Sequence, residues 1–209
     1  VCKTREGHPL YGGDWARHNY DIPTRNRAML HYELCPCDEQ REYFMEIVER
    51  VVSDYGFGNL QLDQIAEKMF PCYDSTHGHV TPDRAYVDGY ADLLSRTRRL
   101  LREAYPDGVM ISEALNDFTG QWCDSSWDWN ILIPFPEPIL YTLPWLMASH
   151  EIDACEYAEV NKAFAYCMHL DMKIDGGDAP ITKYPEFAAH VKRLADLRRR
   201  VKDYYVYAD

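Results

Sequence analysis

Two acidic residues, Asp63 and Glu113, stand near the ends of two short apolar runs. Asp63 comes late in the alternating run Asn59 to Ile65, and Glu113 comes late in the run Val109 to Ala114. If both runs are parallel strands of a barrel, the two carboxylates reach its C-terminal face, where barrel enzymes carry their active sites. Such a pair can cleave a glycosidic bond, one acid attacking or orienting water and the other protonating the leaving oxygen. The structural alternative is that Asp63 caps the next turn and Glu113 pairs with a nearby base.

Aromatic residues follow Glu113 in a polar segment, Asn116 to Trp129. Sugars stack their apolar C–H faces on aromatic rings, while their hydroxyls bond to acids, amides and imidazoles. Each tryptophan taken alone is typical of a core, but exposed tryptophans need a purpose and three in one polar loop predict a lined cleft. The tryptophans are Trp122, Trp127 and Trp129, and the polar residues beside them are Asn116, Asp124 and Asp128.

A second polar segment runs from Cys72 to His79. Four of its residues are possible metal ligands, namely Cys72, Asp74, His77 and His79. Their spacing matches no strong zinc pattern, so we predict no metal and no cofactor, and we favour hydroxyl recognition or loop hydrogen bonding. A metal-dependent hydrolase that uses His77 and His79 is the weaker alternative. The chain has no Gly-x-Ser-x-Gly elbow for a serine nucleophile.

Helices and strands that alternate along the chain must position these residues. Apolar residues at helical spacing predict a helix from about 38 to 55, a second from Tyr86 to Ala104, and a terminal amphipathic helix from Pro185 to Tyr204. Weaker patterns predict a helix within Ala154 to Ala165. Besides the two acid-bearing strands, we expect a strand around Tyr166 to Met172, one or two within Ile131 to Tyr141, and a short one at Met29 to Tyr32.

This alternation predicts an α/β fold with parallel strands and right-handed crossovers. No glycine-rich phosphate-binding turn follows either acid-bearing strand, which disfavours a nucleotide-binding doubly wound sheet and favours a TIM (β/α)8-type barrel. A complete barrel of this type needs about 250 residues, and we count only about five or six units. We therefore predict that residues 1–209 form one partial barrel domain that lacks the first strands.

Composition excludes several classes of partner. The 22 basic and 34 acidic residues give a formal net charge of −12, which argues against nucleic acid. The most apolar stretch, Ile131 to Ala148, is interrupted by prolines and so predicts no membrane-spanning helix. The chain opens on Val1 without a charged and apolar leader, so we expect no signal peptide. An odd count of seven cysteines implies no disulfide framework, and the cellular location stays open.

Several short motifs follow one another along the chain: Cys35-Pro36, Tyr55-Gly56, Leu60-Gln61-Leu62-Asp63-Gln64-Ile65, Cys72-Tyr73-Asp74, His77-Gly78-His79 and Ser112-Glu113-Ala114. Their order resembles an uncharacterised bacterial family of glycoside-hydrolase-like barrel domains. That family is similar to the endo-alpha-N-acetylgalactosaminidases and, more distantly, to the retaining alpha-galactosidase and alpha-glucosidase barrels. The resemblance runs from about Cys35 to Tyr205.

The resemblance implies a retaining O-glycosidase acting on a carbohydrate substrate, with Asp63 as nucleophile and Glu113 as general acid/base. A retaining pair holds its carboxyl groups about 5–5.5 Å apart. The proposed sugar contacts are Gln64, Tyr73, Asp74, His77, His79 and Asn116, together with Trp122 and Trp127 of the cleft. The missing N-terminal strands would complete the pocket. The main alternative is a non-catalytic carbohydrate-binding barrel.

Overall fold

A computed structural model of the chain describes residues 1–10, 32–66, 70–113, 115–128, 137–174 and 179–202. The chain divides into two compact units. The first unit is Val1–Gly58 with Lys68–Pro106, and the second is Asn59–Glu67 with Asp107–Asp209. Among the described helices, none combines the length and the apolar character that a membrane crossing requires. The prediction of one partial barrel domain stays a prediction.

Two helices dominate the first unit. Helix α1 spans Asp38–Glu49 and continues as a π-helix over Arg50–Asp54, and helix α2 spans Arg84–Ala104. Both predicted helices are confirmed, the first with a wider final turn. Two ion pairs join the helices, from Arg41 Nε to Asp92 at 2.9 Å and from Arg96 to Glu42 at 2.6 Å.

Gly89 of α2 lies directly against Pro36, in the segment before α1. A Cβ atom at this position would lie 2.3 Å from the carbonyl oxygen of Pro36 and 2.7 Å from its ring. The same carbonyl accepts a hydrogen bond of 2.6 Å from the Arg41 guanidinium. The absence of a side chain at Gly89 therefore leaves the space that Pro36, the neighbour of Cys35, occupies.

The second unit contains a five-stranded, all-parallel sheet. Within the described residues, strands adjacent in the sheet are also consecutive in the sequence, in the order β1-β2-β3-β4-β5. The predicted α/β class is confirmed, and the predicted strands at 59–65, 109–114 and 166–172 are present in shorter form. The strands are β1 (Asn59–Leu62), β2 (Val109–Glu113), β3 (Ser125–Asp128), β4 (Met147–Ile152) and β5 (His169–Met172).

One prediction about this sheet is wrong, because the segment predicted as a loop over 116–129 contains β3. Of the segment 131–141, predicted to hold one or two strands, the described part belongs to helix α3 (Glu137–Thr142). Residues 129–136 and most of the predicted strand at 29–32 lie outside the described residues. Strands β3 and β4 carry serine, histidine and acidic residues on buried positions, so hydrophobic alternation does not reveal them.

The remaining helices of the second unit are α4 (Tyr157–Ala165) and α5 (Pro185–Arg200). They confirm the predicted helices, except that Tyr204 lies outside the described residues. Pro185 begins α5, where its missing N–H costs nothing. An apolar cluster joins the sheet to these helices. Its buried members are Ile152, Val160, Ile174 and Phe187.

Candidate active site

The C-terminal edge of the sheet carries a row of polar and aromatic side chains on one face. Glu113 of β2 pairs in register with Trp127 of β3, and Trp127 pairs with Ser149 of β4. Side chains at paired positions point to the same face, and so does a residue two positions further along a strand. Glu151 of β4 therefore shares the face of Glu113 and Trp127.

At this edge the turn that contains Asp63 meets the side chain of Glu113. Leu62 of β1 pairs with Ser112 of β2. Asp63 and Glu113 are the residues that directly follow this pair. The backbone N–H of Gln64 donates a hydrogen bond of 2.8 Å to Glu113 Oε2. Glu113 is buried, with 2% of its surface exposed, whereas Asp63 is exposed. The Glu113 carboxylate thus reaches the turn that presents Asp63.

This turn has an unusual backbone. Gln64 and Ala66 adopt positive φ values of 53° and 54°, in the left-handed region that residues other than glycine seldom occupy. Such conformations cost about 1–3 kcal/mol each and are found preferentially at functional sites. The chain therefore leaves β1 through a strained turn at the position where the sequence places its predicted nucleophile.

Glu151 is a third carboxylate at the edge, and the sequence pattern did not predict it. It is 2% exposed, and its Oε1 atom lies 3.4 Å from Lys173 Nζ. Burial, reinforced by the neighbouring Asp153, raises the pKa of Glu151. Its Oε2 atom is buried and has no hydrogen-bond partner among the described residues. The Lys173 ammonium also lies 6.0 Å from the centroid of the Trp127 ring. Lys173 therefore lies near both Glu151 and Trp127.

Asn116 and Trp122 make local contacts in the second unit. The Asn116 side chain accepts hydrogen bonds from the backbone N–H and the hydroxyl of Thr119, at 2.8 and 3.0 Å. Trp122 is half-buried and packs edge-on against Phe118, with ring centroids 5.1 Å apart. These contacts shape the segment between β2 and β3. Their predicted role as sugar contacts stays a prediction.

The other four predicted sugar contacts belong to the first unit, on the segment after Phe70. Asp74 bonds to Lys3 at 2.6 Å and accepts hydrogen bonds from the backbone and hydroxyl of Thr76. The Lys3 ammonium is the main cause that holds the pKa of Asp74 far below its usual range. Tyr73 carries the Arg5 guanidinium 5.3 Å from its ring centroid. The predicted sugar-binding role of this segment stays a prediction.

His77 and His79 lie beside two cysteine thiols. One ligand atom from each of Cys35, Cys72, His77 and His79 lies within 4.8 Å of the corresponding atoms of the other three. Three of these residues are in the segment that the sequence singled out. Cys35 is not, and no spacing rule connects a residue 37 positions before Cys72 to that segment. These four residues could hold a metal ion.

A separate cavity of about 170 Å³ lies at the opposite end of β4. It is lined mainly by apolar residues, among them Leu140, Leu146, Met147 and Tyr166. Met147 is the first residue of β4 and Glu151 the fifth, so this cavity and the carboxylates are at different ends of the strand. Among the described residues that line the cavity, none has an acidic or basic side chain of the Asp, Glu, His, Lys or Arg type.

The C-terminal edge combines an exposed carboxylate, two buried carboxylates and an aromatic ring. Asp63 is exposed to solvent, whereas Glu113 and Glu151 are each 2% exposed. Trp127 provides an apolar surface next to them. No protein-family model and no curated protein matches the chain.

Proposed function

We propose that the protein is a glycoside hydrolase that works with retention of configuration at the C-terminal edge of its parallel sheet. The observation that carries this proposal is the hydrogen bond of 2.8 Å from the Gln64 N–H to Glu113 Oε2. It ties the buried carboxylate at the end of β2 to the turn that presents Asp63 at the end of β1. Two carboxylates on adjacent strand ends are what double displacement requires.

The strand order supports a barrel of the TIM type as the scaffold. In a doubly wound sheet the strand order reverses at a switch point, and ligands bind there. In a (β/α)8 barrel each strand is added next to the preceding one, and the C-terminal ends together form the site. The described strands follow the second pattern, β1 to β5 without a reversal. We therefore assign the sheet to part of such a barrel.

In the proposed mechanism, Asp63 attacks the anomeric carbon and forms an ester bond to the sugar. The glycosidic C–O bond breaks as Glu113 gives its proton to the leaving oxygen. In the second step, the Glu113 carboxylate takes a proton from water, and the resulting hydroxide displaces Asp63 from the sugar. Two inversions at the same carbon restore the original configuration.

The surroundings of the two acids suit these roles. The strained turn at Gln64 and Ala66 holds Asp63 on the exposed side, and the Gln64 N–H restrains the Glu113 side chain. Trp127, paired in register with Glu113, offers a ring against which a sugar's C–H face can stack. Glu151 and Lys173 offer an acceptor and a donor for sugar hydroxyls on the same face.

The test compares variants on two kinds of leaving group. The substrates are 2,4-dinitrophenyl and methyl α-glycosides of galactose, N-acetylgalactosamine and glucose, the classes that the resemblance implies. Asp63→Asn should lose turnover of both kinds. Glu113→Gln should lose methyl glycoside turnover by about 10²–10⁴-fold but keep the first step on dinitrophenyl glycosides, because that leaving group needs no proton. Asp107→Asn, an exposed acid of the turn before β2, is the matched control.

Each other result points to a different assignment. If Glu151→Gln shows the leaving-group dependence and Glu113→Gln does not, Glu151 is the acid/base. If no α-glycoside is cleaved while sugars bind equally well to the unaltered chain and to Asp63→Asn, the protein is a carbohydrate-binding barrel and hydrolysis is refuted. Loss of turnover on treatment with a chelator, under conditions in which circular dichroism shows the chain still folded, would support the metal-dependent alternative instead.

A further inference from the structure

A cluster of four metal-binding side chains lies in the first unit, away in sequence from the acids of the sheet. Cys35 stands just before α1, and Cys72, His77 and His79 lie on the segment that leads to α2. Both cysteines are buried, with at most 1% of their surface exposed, and both are free thiols. We propose that these four residues bind a structural zinc ion.

The distances within the cluster fit a tetrahedral zinc site. Zinc binds thiolate sulfur at about 2.3 Å and imidazole nitrogen at about 2.0–2.1 Å, so tetrahedral ligand atoms lie about 3.3–3.8 Å from one another. In the structure the four ligand atoms lie within 4.8 Å of one another, and Cys72 Sγ is 3.3 Å from His77 Nδ1. Ligand atoms at the 4.8 Å limit would have to approach one another by about 1 Å for all four to bind one zinc ion.

His79 shows the clearest need for a ligand. Both of its ring nitrogens are buried, and neither has a hydrogen-bond partner among the residues that the structure describes. A buried polar group without a partner is destabilising, and native proteins rarely leave one. A zinc ion between the thiols and the imidazoles would satisfy one of these nitrogens by direct coordination.

The His77 ring lies next to a carboxylate, as the rings of zinc-bound histidines usually do. Its Nδ1 atom faces Cys72, and its Nε2 atom lies 3.4 Å from Asp74 Oδ2. Metal-bound imidazoles usually donate their second N–H to a carboxylate, which fixes the ring and raises its basicity. Asp74 is itself held by Lys3 at 2.6 Å and by Thr76. The cluster therefore has both inner ligands and a support for one of them.

The segment from Cys72 to His79 has little regular secondary structure, and backbone hydrogen bonds and a turn hold it in place. The Cys72 N–H donates to the carbonyl of Pro82 at 2.8 Å, and Gly78 turns the chain between the two histidines at a φ of 77°. Apart from one 3-10 turn at Ser75–His77, the described part of the segment has no helix or strand before α2. A metal bridge to Cys35 would add the cross-link that this segment lacks.

The donor set favours zinc and a structural role. Two thiolates with two imidazoles form one of the usual ligand sets of structural zinc, and four protein ligands leave no open position for catalysis. Binding would displace the thiol protons of Cys35 and Cys72, so zinc affinity should fall as the pH is lowered. The competing possibility is a disulfide, because the thiol of Cys35 also lies within hydrogen-bonding reach of Cys2.

The first experiment measures metal content. The full chain is purified with a reductant and without a chelator, and zinc and protein are quantified by mass spectrometry and amino-acid analysis. We expect about one zinc per chain. After removal of the metal, zinc at a hundredfold excess over its Kd should raise Tm by about 5–10 °C. Co²⁺ in place of zinc should give the visible bands of a tetrahedral thiolate complex.

Matched variants assign the ligands. Cys72→Ser and His79→Ala should each weaken zinc binding by at least tenfold and change the Co²⁺ spectrum. Cys155→Ser, a half-buried cysteine of the second unit, and His8→Ala, an exposed histidine of the first, should change neither. Asp74→Asn should keep one zinc at saturation but weaken its binding by about 10–100-fold, as expected of a supporting carboxylate.

Three results would overturn the site. One is less than about 0.1 zinc per reduced chain with no cobalt bands after metal is added. Another is equal zinc binding by the control and ligand variants. The third is a disulfide from Cys35 to Cys2 or Cys72 in the purified chain, with no zinc taken up once it is reduced. Glycoside turnover does not enter any of these readouts, so this proposal and the proposed hydrolase fail or stand separately.

Discussion

Replacement of Gly89 by alanine tests whether the close contact between Pro36 and α2 contributes to the stability of the first unit. Helix propensity alone predicts that alanine stabilises an interior helical position by about 1 kcal/mol relative to glycine. The structure predicts the opposite sign, because the new Cβ would lie 2.3 Å from the Pro36 carbonyl oxygen and 2.7 Å from its ring. The two arguments therefore disagree on the direction of the change.

The magnitude follows from the atoms that must move. Overpacking of a tight contact costs about 1–3 kcal/mol, and the upper part of this range applies because a carbonyl and a proline ring cannot rotate away. The shift would also disturb the hydrogen bond of 2.6 Å from Arg41 to the same carbonyl. After the gain in propensity is subtracted, we expect a net loss of about 1–2 kcal/mol in the free energy of unfolding. This corresponds to a Tm about 3–6 °C lower.

The assay is urea unfolding of Gly89→Ala and the unaltered chain, followed by zinc titration of both. Because Cys35 precedes Pro36, the variant should also bind zinc more weakly. Gly120→Ala is the control: its Cβ would meet the ends of the Leu143 and Leu146 side chains at 2.5 and 3.0 Å, which can shift. A Gly89→Ala protein that is more stable than the unaltered chain would refute the argument from close approach.

Two further predictions concern the second unit. Glu151→Gln should stabilise the protein at neutral pH, because the pKa of Glu151 is raised in the folded state and its carboxylate is therefore disfavoured there. This gain in stability should shrink as the pH falls through the raised pKa and vanish below about 4.5, the ordinary value for a glutamate. Thermal melts of the variant and the unaltered chain across this range measure it. A difference in Tm that does not depend on pH would contradict the prediction. Arg198→Met should lower the free energy of unfolding by about 2–3 kcal/mol, because the guanidinium donates to the carbonyls of Cys167 and Met168 at 3.1 and 2.9 Å. Arg198→Lys should recover only part of this loss in urea unfolding, and full recovery would show that the fork geometry is unimportant.

The structure confirms the predicted elements with strong periodicity, and also α4 and β5, whose patterns are weaker. Helices α1, α2 and α5 carry long apolar stripes, and β1 and β2 are short runs in which buried and more exposed positions alternate. Strand β4 could not be predicted in this way, since Ser149, His150 and Glu151 stand next to one another. His150 is buried, and its ring nitrogen has a partner in Glu159, nine residues further on, at 3.0 Å. Such a partner is visible only after the chain folds.

Some residues of the candidate site could likewise be predicted from the sequence, and one could not. Asp63 and Glu113 could be selected from sequence because each closes a recognisable strand, and parallel strands bring their C-terminal ends to one edge. Glu151 was missed together with its strand. The pKa of Glu151 is raised by its burial and by Asp153, and no local pattern encodes that burial.

By itself, the sequence determined the α/β class, the main helices, and the two acids that stand at neighbouring strand ends, because these follow from short-range periodicity and from the rule that parallel strands share an edge. Only the tertiary structure decided that the segment from Cys72 to His79 meets Cys35, and that Glu151 joins Glu113 on one face. Both depend on contacts between residues far apart in the chain. The positions of such residues are set by packing, for example of Pro36 against Gly89, and packing has no period that can be read along the sequence.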